Sequence, residues 1–175
     1  MASTTLILGG ARSGKSRFAL GVPSARARVA FVATAVAGDE EMLERIERHR
    51  AERPAHWRTL EEPCELVVAV RDASANADLV IVDCLTVWVA NLMLRGDPDE
   101  QILKQADELA ALLGLRPADL TLVSNEVGLG VHPDTEDGRH FRDLLGTVNQ
   151  RLAAAVDRVV LMVAGVPLVV KDGRA

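Results

Sequence analysis

The chain has 175 residues, 49% of them hydrophobic, and its 20 Lys and Arg against 25 Asp and Glu give a formal net charge of −5. That length supports one compact core, and the acidic balance excludes a broad basic surface for nucleic acid or anionic lipid, so phosphate binding must be local. Cys64 and Cys84 accompany no Cys/His cluster, no apolar run approaches the ~20 residues of a bilayer span, and no leader pattern opens the chain; a soluble cytoplasmic protein without a zinc-type site is expected.

The first predicted element is a buried strand at Thr4 to Leu8. It runs into Gly9, Gly10, Ala11, Arg12, Ser13, Gly14, Lys15 and Ser16, which complete G-x-x-x-x-G-K-S at the opening of a helix. In that setting backbone N–H groups surround nucleotide phosphates, Lys15 reaches the β and γ groups, and Ser16 serves Mg²⁺. Val29 to Ala33 is a second apolar, β-branched run.

"DEEMLERIERHRAERP" then reads as a helix, with Asp39, Glu40 and Glu41 at its positive end and Pro54 as the stop after Arg53. Met42, Ile46, His49 and Arg53 fall on one stripe, which places His49 near the end of the apolar face. Periodicity alone leaves two readings open: a half-buried structural histidine, or a reactive one. Likewise Arg45, Arg48, Arg50 and Arg53 fit either a solvated face or a polyphosphate setting.

Pro63 suits the first turn of a helix through "PCELVVAVRDA". The strand Leu79 to Val82 ends on Asp83, the carboxylate that a P-loop enzyme needs near its metal; capping of the following "CLTVWVANL" is the plainer role, and Cys84 reads as a small buried thiol. "DPDEQILKQADELAALLG" reads as a covering helix ending at Gly114, and Leu120 to Val123 as a strand. Glu126 to Gly138 reads as a long loop at a strand's carboxyl end, where open α/β sheets bind ligands. Asn125 and Glu126 open it, either as crevice contacts or a base, or as caps of the loop. Val159 to Val163 is the last buried strand, with an edge strand predicted at Val166 to Asp172 because Pro167 cannot donate to a ladder. The fold class is therefore α/β: one P-loop NTPase-type domain over residues 1–175, a mostly parallel sheet with helices on both faces.

"GGARSGKSRFA", "FVATA", "DEEMLERIERHRAERPAHWRTLEEP", "VDCLTVWVANL", "VSNEVGLGVHP" and "HFRDLLGTVNQRLAAAVDRVVLMVAG" together resemble the bifunctional adenosylcobinamide kinase/adenosylcobinamide-phosphate guanylyltransferase family of cobalamin biosynthesis, end to end. The resemblance implies two reactions: ATP or GTP phosphorylates the aminopropanol hydroxyl of adenosylcobinamide, then GMP passes from GTP to that phosphate, giving adenosylcobinamide-GDP and pyrophosphate. It implies that His49 is the guanylylated residue, with Lys15 as its catalytic companion. Thr34, Ala35, Val36, Arg50, Ala51, Glu52, Arg53, Glu61 and Glu62 match nucleotide-contacting positions, one of the two glutamates suiting a guanine N–H edge. Mg²⁺ would lie on Ser16 and Asp83. Trp57 fits either packing or stacking. A homo-oligomer, a trimer, is also implied. The competing readings are a monofunctional P-loop kinase for a small metabolite and a non-enzymatic nucleotide switch, which His49 and stimulation by a corrinoid would separate from the bifunctional enzyme.

Overall fold

The computed structural model describes residues 2–23, 27–38 and 40–173, and only the backbone of Glu41, Met42 and Arg45. In chain order the elements are β1 (Thr4–Gly9), α1 (Lys15–Leu20), β2 (Val29–Ala33), α2 (Glu40–Ala51), β3 (Arg58–Glu61), α3 (Leu66–Ser74), β4 (Leu79–Asp83), α4 (Leu85–Arg95), α5 (Asp99–Leu115), β5 (Asp119–Val123), α6 (Glu136–Ala155), β6 (Arg158–Val163) and β7 (Val166–Asp172). The strands form one sheet ordered β3-β2-β4-β5-β1-β6-β7. β7 pairs antiparallel with β6, and every other ladder is parallel.

Successive strand residues alternate between two cores, as the pleat requires. Leu6, Val32, Val80, Val82 and Leu122 face one side, under Leu66, Trp88, Ile102, Leu109 and Val148 of α3 to α6. Ile7, Phe31, Ile81, Val123 and Val160 face the other, where Ala19 and Phe18 of α1 and the indole of Trp57 pack. Helices do lie on both faces, but the cover is uneven: four helices on one side and little beyond α1 and the Trp57 segment on the other. Trp57 therefore has a packing role.

Several boundaries differ from expectation, each for a local reason. β3 was not anticipated; it is a four-residue edge strand of mixed polarity, Arg58 to Glu61, paired only with β2. α3 starts at Leu66 rather than at Pro63, because the Glu62 carboxylate accepts from the N–H groups of Cys64 (3.0 Å) and Glu65 (2.8 Å) and holds a turn before the helix. α5 continues through Gly114 and ends where Arg116 turns left-handed at φ 50°. α6 opens at Glu136, capped by Thr135 Oγ1 accepting from Gly138 N (3.1 Å), so the preceding loop is shorter than Glu126 to Gly138. α2 ends at Ala51, two residues before Arg53. None of its described residues is buried; Ile46 and His49 are half-buried, so the stripe is less apolar in its surroundings than its spacing implies. Asp39 and the side chains of Glu41, Met42 and Arg45 lie outside the described residues.

Candidate active site

The loop after β1 is shaped by glycine. Gly9 sits at φ 154°, and a Cβ there would lie 2.5 Å from Ser13 Oγ and 2.7 Å from the Met162 carbonyl, so no side chain fits. Gly14 (φ 95°) precedes α1, and Ser13 N donates to Gly10 O (3.3 Å) to close the turn. Lys15 is nearly buried, and its Nζ donates to Gly10 O at 2.6 Å, which holds the ammonium over the loop. Arg12 takes φ 56° with its side chain in solvent. The turn has the backbone form of the phosphate loop that the motif predicts.

Neighbouring elements clamp the loop from both sides. Ser124 N donates to Ile7 O (2.9 Å) and Glu126 N to Gly9 O (3.0 Å), tying it to the segment after β5. On the far side the β6–β7 hairpin closes through Ala164 and Gly165, both at positive φ, in the two-residue turn whose twist suits a hairpin. Gly165 N donates to Ser13 O at 2.9 Å, so the turn also braces the phosphate loop.

Asp83 ends β4, which β5 separates from β1; its register partners are Ala33 and Val123. The strand-end residues of β5 consequently stand between the phosphate loop and Asp83. Asp83 is half-buried and, among the described residues, its carboxylate makes no hydrogen bond. The chain turns sharply after it: Thr34 Oγ1 donates to Cys84 O (2.8 Å) and accepts from Cys84 N (3.0 Å), and Asn91 Nδ2 donates to Thr34 O (2.8 Å). Thr34 is fully buried, so its hydroxyl fixes the corner beyond Asp83, while Ala35 is half-buried and Val36 exposed. Burial and the Asp83 charge push the Cys84 thiol up from its ordinary pKa.

The end of α2 reaches the same edge. The Arg53 guanidinium lies 3.8 Å over the Phe31 ring of β2. Burial lowers its pKa, attraction to Asp83 opposes that shift, and its buried Nε has no hydrogen-bond partner. Arg50 is ion-paired with Glu61 at the end of β3. His49 sits in the last turn of α2, one residue before Arg50, and Ala51 and Glu52 are exposed. Of the two acidic positions, Glu61 is thus engaged by an arginine and Glu62 by the turn into α3.

Sequence reasoning missed a polar clamp behind β5. Asn125 N donates to Thr86 Oγ1 (2.7 Å), and Asn149 Nδ2 donates to Asn125 O (3.0 Å), which fixes the Asn125 backbone from two helices. The signal was present: Asn149 is a buried amide within an otherwise apolar stripe of Leu145, Val148 and Leu152. Glu126 Oε1 accepts from Gly128 N (3.1 Å), a loop-capping contact.

Ser16 and Asp83 are both partly exposed at this edge. No cluster of three or more metal-ligating side chains exists among the described residues. One hydroxyl, one carboxylate without a hydrogen-bond partner and substrate phosphates are nonetheless a donor set that Mg²⁺ accepts, since it keeps several waters and takes few protein ligands.

A braced phosphate loop, a strand-end carboxylate and an arginine-bearing helix end on one sheet edge define a P-loop nucleotide-binding fold. The solved structures agree on the fold: an ATPase from the type III secretion system of pathogenic bacteria (TM-score 0.56, 13% identity, 91% of this chain and 50% of that one) and a KaiC-like protein from Pyrococcus horikoshii (TM-score 0.53, 14% identity, 91% and 70%). More narrowly, the cobinamide kinase / cobinamide phosphate guanyltransferase family profile matches residues 5–170, and the chain belongs to that family. It is 48% identical over 168 residues to the bifunctional adenosylcobalamin biosynthesis protein CobP of Pseudomonas aeruginosa, covering 95% of this chain and 96% of that protein. It is 41% identical over 178 residues to the bifunctional CobU of Escherichia coli, covering 95% and 98%.

Proposed function

We propose that this chain is both adenosylcobinamide kinase and adenosylcobinamide-phosphate guanylyltransferase, and that one phosphate loop serves both reactions. The family match over nearly the whole chain favours this over a monofunctional kinase. The observation that supports the single-site reading is the Arg53 guanidinium stacked 3.8 Å over Phe31 of β2, two residues beyond the end of the helix that bears His49, on the strand paired with the one that ends on Asp83.

In the first reaction the aminopropanol hydroxyl attacks the γ-phosphorus of ATP or GTP, the bond from the β–γ bridging oxygen to that phosphorus breaks, and the nucleoside diphosphate leaves. Residues Gly9 to Ser16 hold the phosphate chain, and the Lys15 ammonium stabilises charge on the transferring group. In the second, a neutral His49 ring nitrogen attacks the α-phosphorus of GTP; the N–P bond forms, the bond to the bridging oxygen breaks, and pyrophosphate departs into the same cradle. A phosphate oxygen of adenosylcobinamide phosphate then attacks that phosphorus, the N–P bond breaks, and adenosylcobinamide-GDP is released. Arg53, whose buried Nε has no hydrogen-bond partner, and Arg50 would meet the polyphosphate, and Ala51 and Glu52 would complete that turn. Thr34, Ala35 and Val36 shape the edge above β2, and Glu61 or Glu62 recognises the guanine edge. Mg²⁺ held by Ser16 and Asp83 would neutralise phosphate charge. The reading includes a cytoplasmic homo-oligomer, a trimer; among the described residues no helix is long and apolar enough to cross a membrane.

The test is labelling. GTP carrying the α-phosphate label should mark the protein in acid-labile, alkali-stable form, whereas a γ-label should not remain. His49→Ala should abolish labelling and guanylyl transfer yet keep phosphorylation of adenosylcobinamide, which needs no protein nucleophile. Undiminished acid-labile α-label on His49→Ala would place the nucleophile elsewhere.

A further inference from the structure

The loop between β5 and α6 is braced by hydrogen bonds at both ends, with two exposed apolar side chains between the braces. Val127 packs against the larger core and Glu126 Oε1 accepts from Gly128 N, while Gly130 N donates to Val127 O (3.2 Å) to close a turn with Leu129 at its tip. At the far end Arg139 Nη1 donates to the carbonyls of Pro133 (3.1 Å) and Asp134 (2.9 Å), and Arg142 Nη1 lies 2.7 Å from His132 Nδ1. Between these braces Leu129 is 79% exposed and Val131 94% exposed. The two side chains lie within three residues of each other, so together they form one small exposed apolar patch between braced ends.

We propose that Leu129 and Val131 form the acceptor subsite, the surface on which the corrin ring of the cobinamide substrate rests. This rests on the reading above, because it takes its occupant from there. The position follows from the chain itself: Glu126 N bonds Gly9 O (3.0 Å), and three further residues at ~3.5 Å each keep Leu129 within about 14 Å of the phosphate loop. A corrin ring has a rim of methyl groups between amide arms, so it offers the apolar contact that these side chains lack. A second protein copy fits less well, since a stable interface buries about 800 Å² on each partner and a short turn with two apolar side chains supplies a small part of that.

The test is the double variant Leu129→Ser/Val131→Ser. Its KM for adenosylcobinamide should rise by ~10-fold or more, as expected when two apolar contacts are lost. The KM for GTP and the uptake of α-label in the absence of acceptor should stay at wild-type values, which also verifies folding. Leu129→Met/Val131→Ile should restore the KM. An unchanged KM for adenosylcobinamide overturns the proposal, as does an unchanged KM with a change in sedimenting mass, which would make the patch a subunit contact. If the unmodified protein takes no α-label, it is the guanylyl-histidine reading that fails; equilibrium dialysis of adenosylcobinamide against both proteins then decides the subsite, weaker binding to the variant supporting it and equal binding overturning it.

Discussion

Lys15 and His49 make different demands on the same edge of the sheet. Lys15 is nearly buried on a loop fixed by Gly9, Ser13 and the Gly165 turn, so its ammonium is preorganised over the place where phosphates gather. His49 is half-buried on a helix end with no buried described residue, held to the edge through Arg53 and the Arg50–Glu61 pair. On the proposed assignment, Lys15 stabilises charge in every phosphoryl transfer and His49 is the nucleophile of one of them, so the two should separate by mutation. Lys15→Ala is expected to lower kinase and guanylyltransferase rates together, each by ~100-fold or more, because a donor aimed at developing charge is lost from both transition states. Measuring kcat for each half with purified adenosylcobinamide and its phosphate checks this. Wild-type guanylyl transfer in the variant would mean a second nucleotide site.

At the scale of elements, the strands of the central sheet were readable because each is a short β-branched run, and the phosphate loop because its spacing is stringent. β3 was hidden by its length and mixed polarity, and the start of α3 by the Glu62 carboxylate, which takes two N–H groups that Pro63 alone could not predict. The place of Asp83 one strand away from β1 is a matter of strand order, which no local pattern carries. The clamp of Thr86 and Asn149 on Asn125 joins residues far apart in sequence, and only the unusual polarity of Asn149 hinted at it. A similar long-range latch fastens the sheet's opposite edge. Asp157, just before β6, accepts from Thr4 N (2.9 Å) and Thr4 Oγ1 (3.1 Å) of β1 and from Arg116 beyond α5 (2.5 and 3.0 Å). Hydrogen bonds from Thr4, then from Arg116, hold its carboxyl below the ordinary value near 3.8. A depressed folded-state pKa contributes stability that is present above the unfolded value and lost as pH falls through the folded one. Asp157→Ala should therefore destabilise the protein at pH 7, by about 1–3 kcal/mol for a removed acceptor that leaves the buried Thr4 N–H unpaired. The deficit should shrink as the wild-type carboxyl protonates below pH 3.8, read by urea unfolding at pH 7 and pH 3. A deficit of equal size at both would remove the charge from the account.

For the whole molecule, the uneven cover of the sheet and the character of its last strand point outward. β7 carries Val166 (66% exposed), Leu168 (56%), Val169 (43%) and Val170 (62%), and Val163 at the end of β6 is 55% exposed, so the terminal hairpin presents several exposed apolar side chains. Among the described residues no strand pairs with its outer edge. Such an exposed apolar edge is a candidate surface for association. It is distinct in kind from Leu129 and Val131, because it runs along a whole strand, and it belongs to the hairpin whose turn braces Ser13. The homo-oligomer proposed above should therefore depend on it. Wild-type protein should sediment as a multiple of the 18.8 kDa chain, and Leu168→Asp/Val170→Asp should move it to the mass of one chain, because two carboxylates would have to be buried without partners in the contact. Circular dichroism and thermal unfolding would show that the variant chain still folds. Wild-type protein that sediments as a single chain would refute self-association, and an oligomer untouched by the two aspartates would place the contact on another surface.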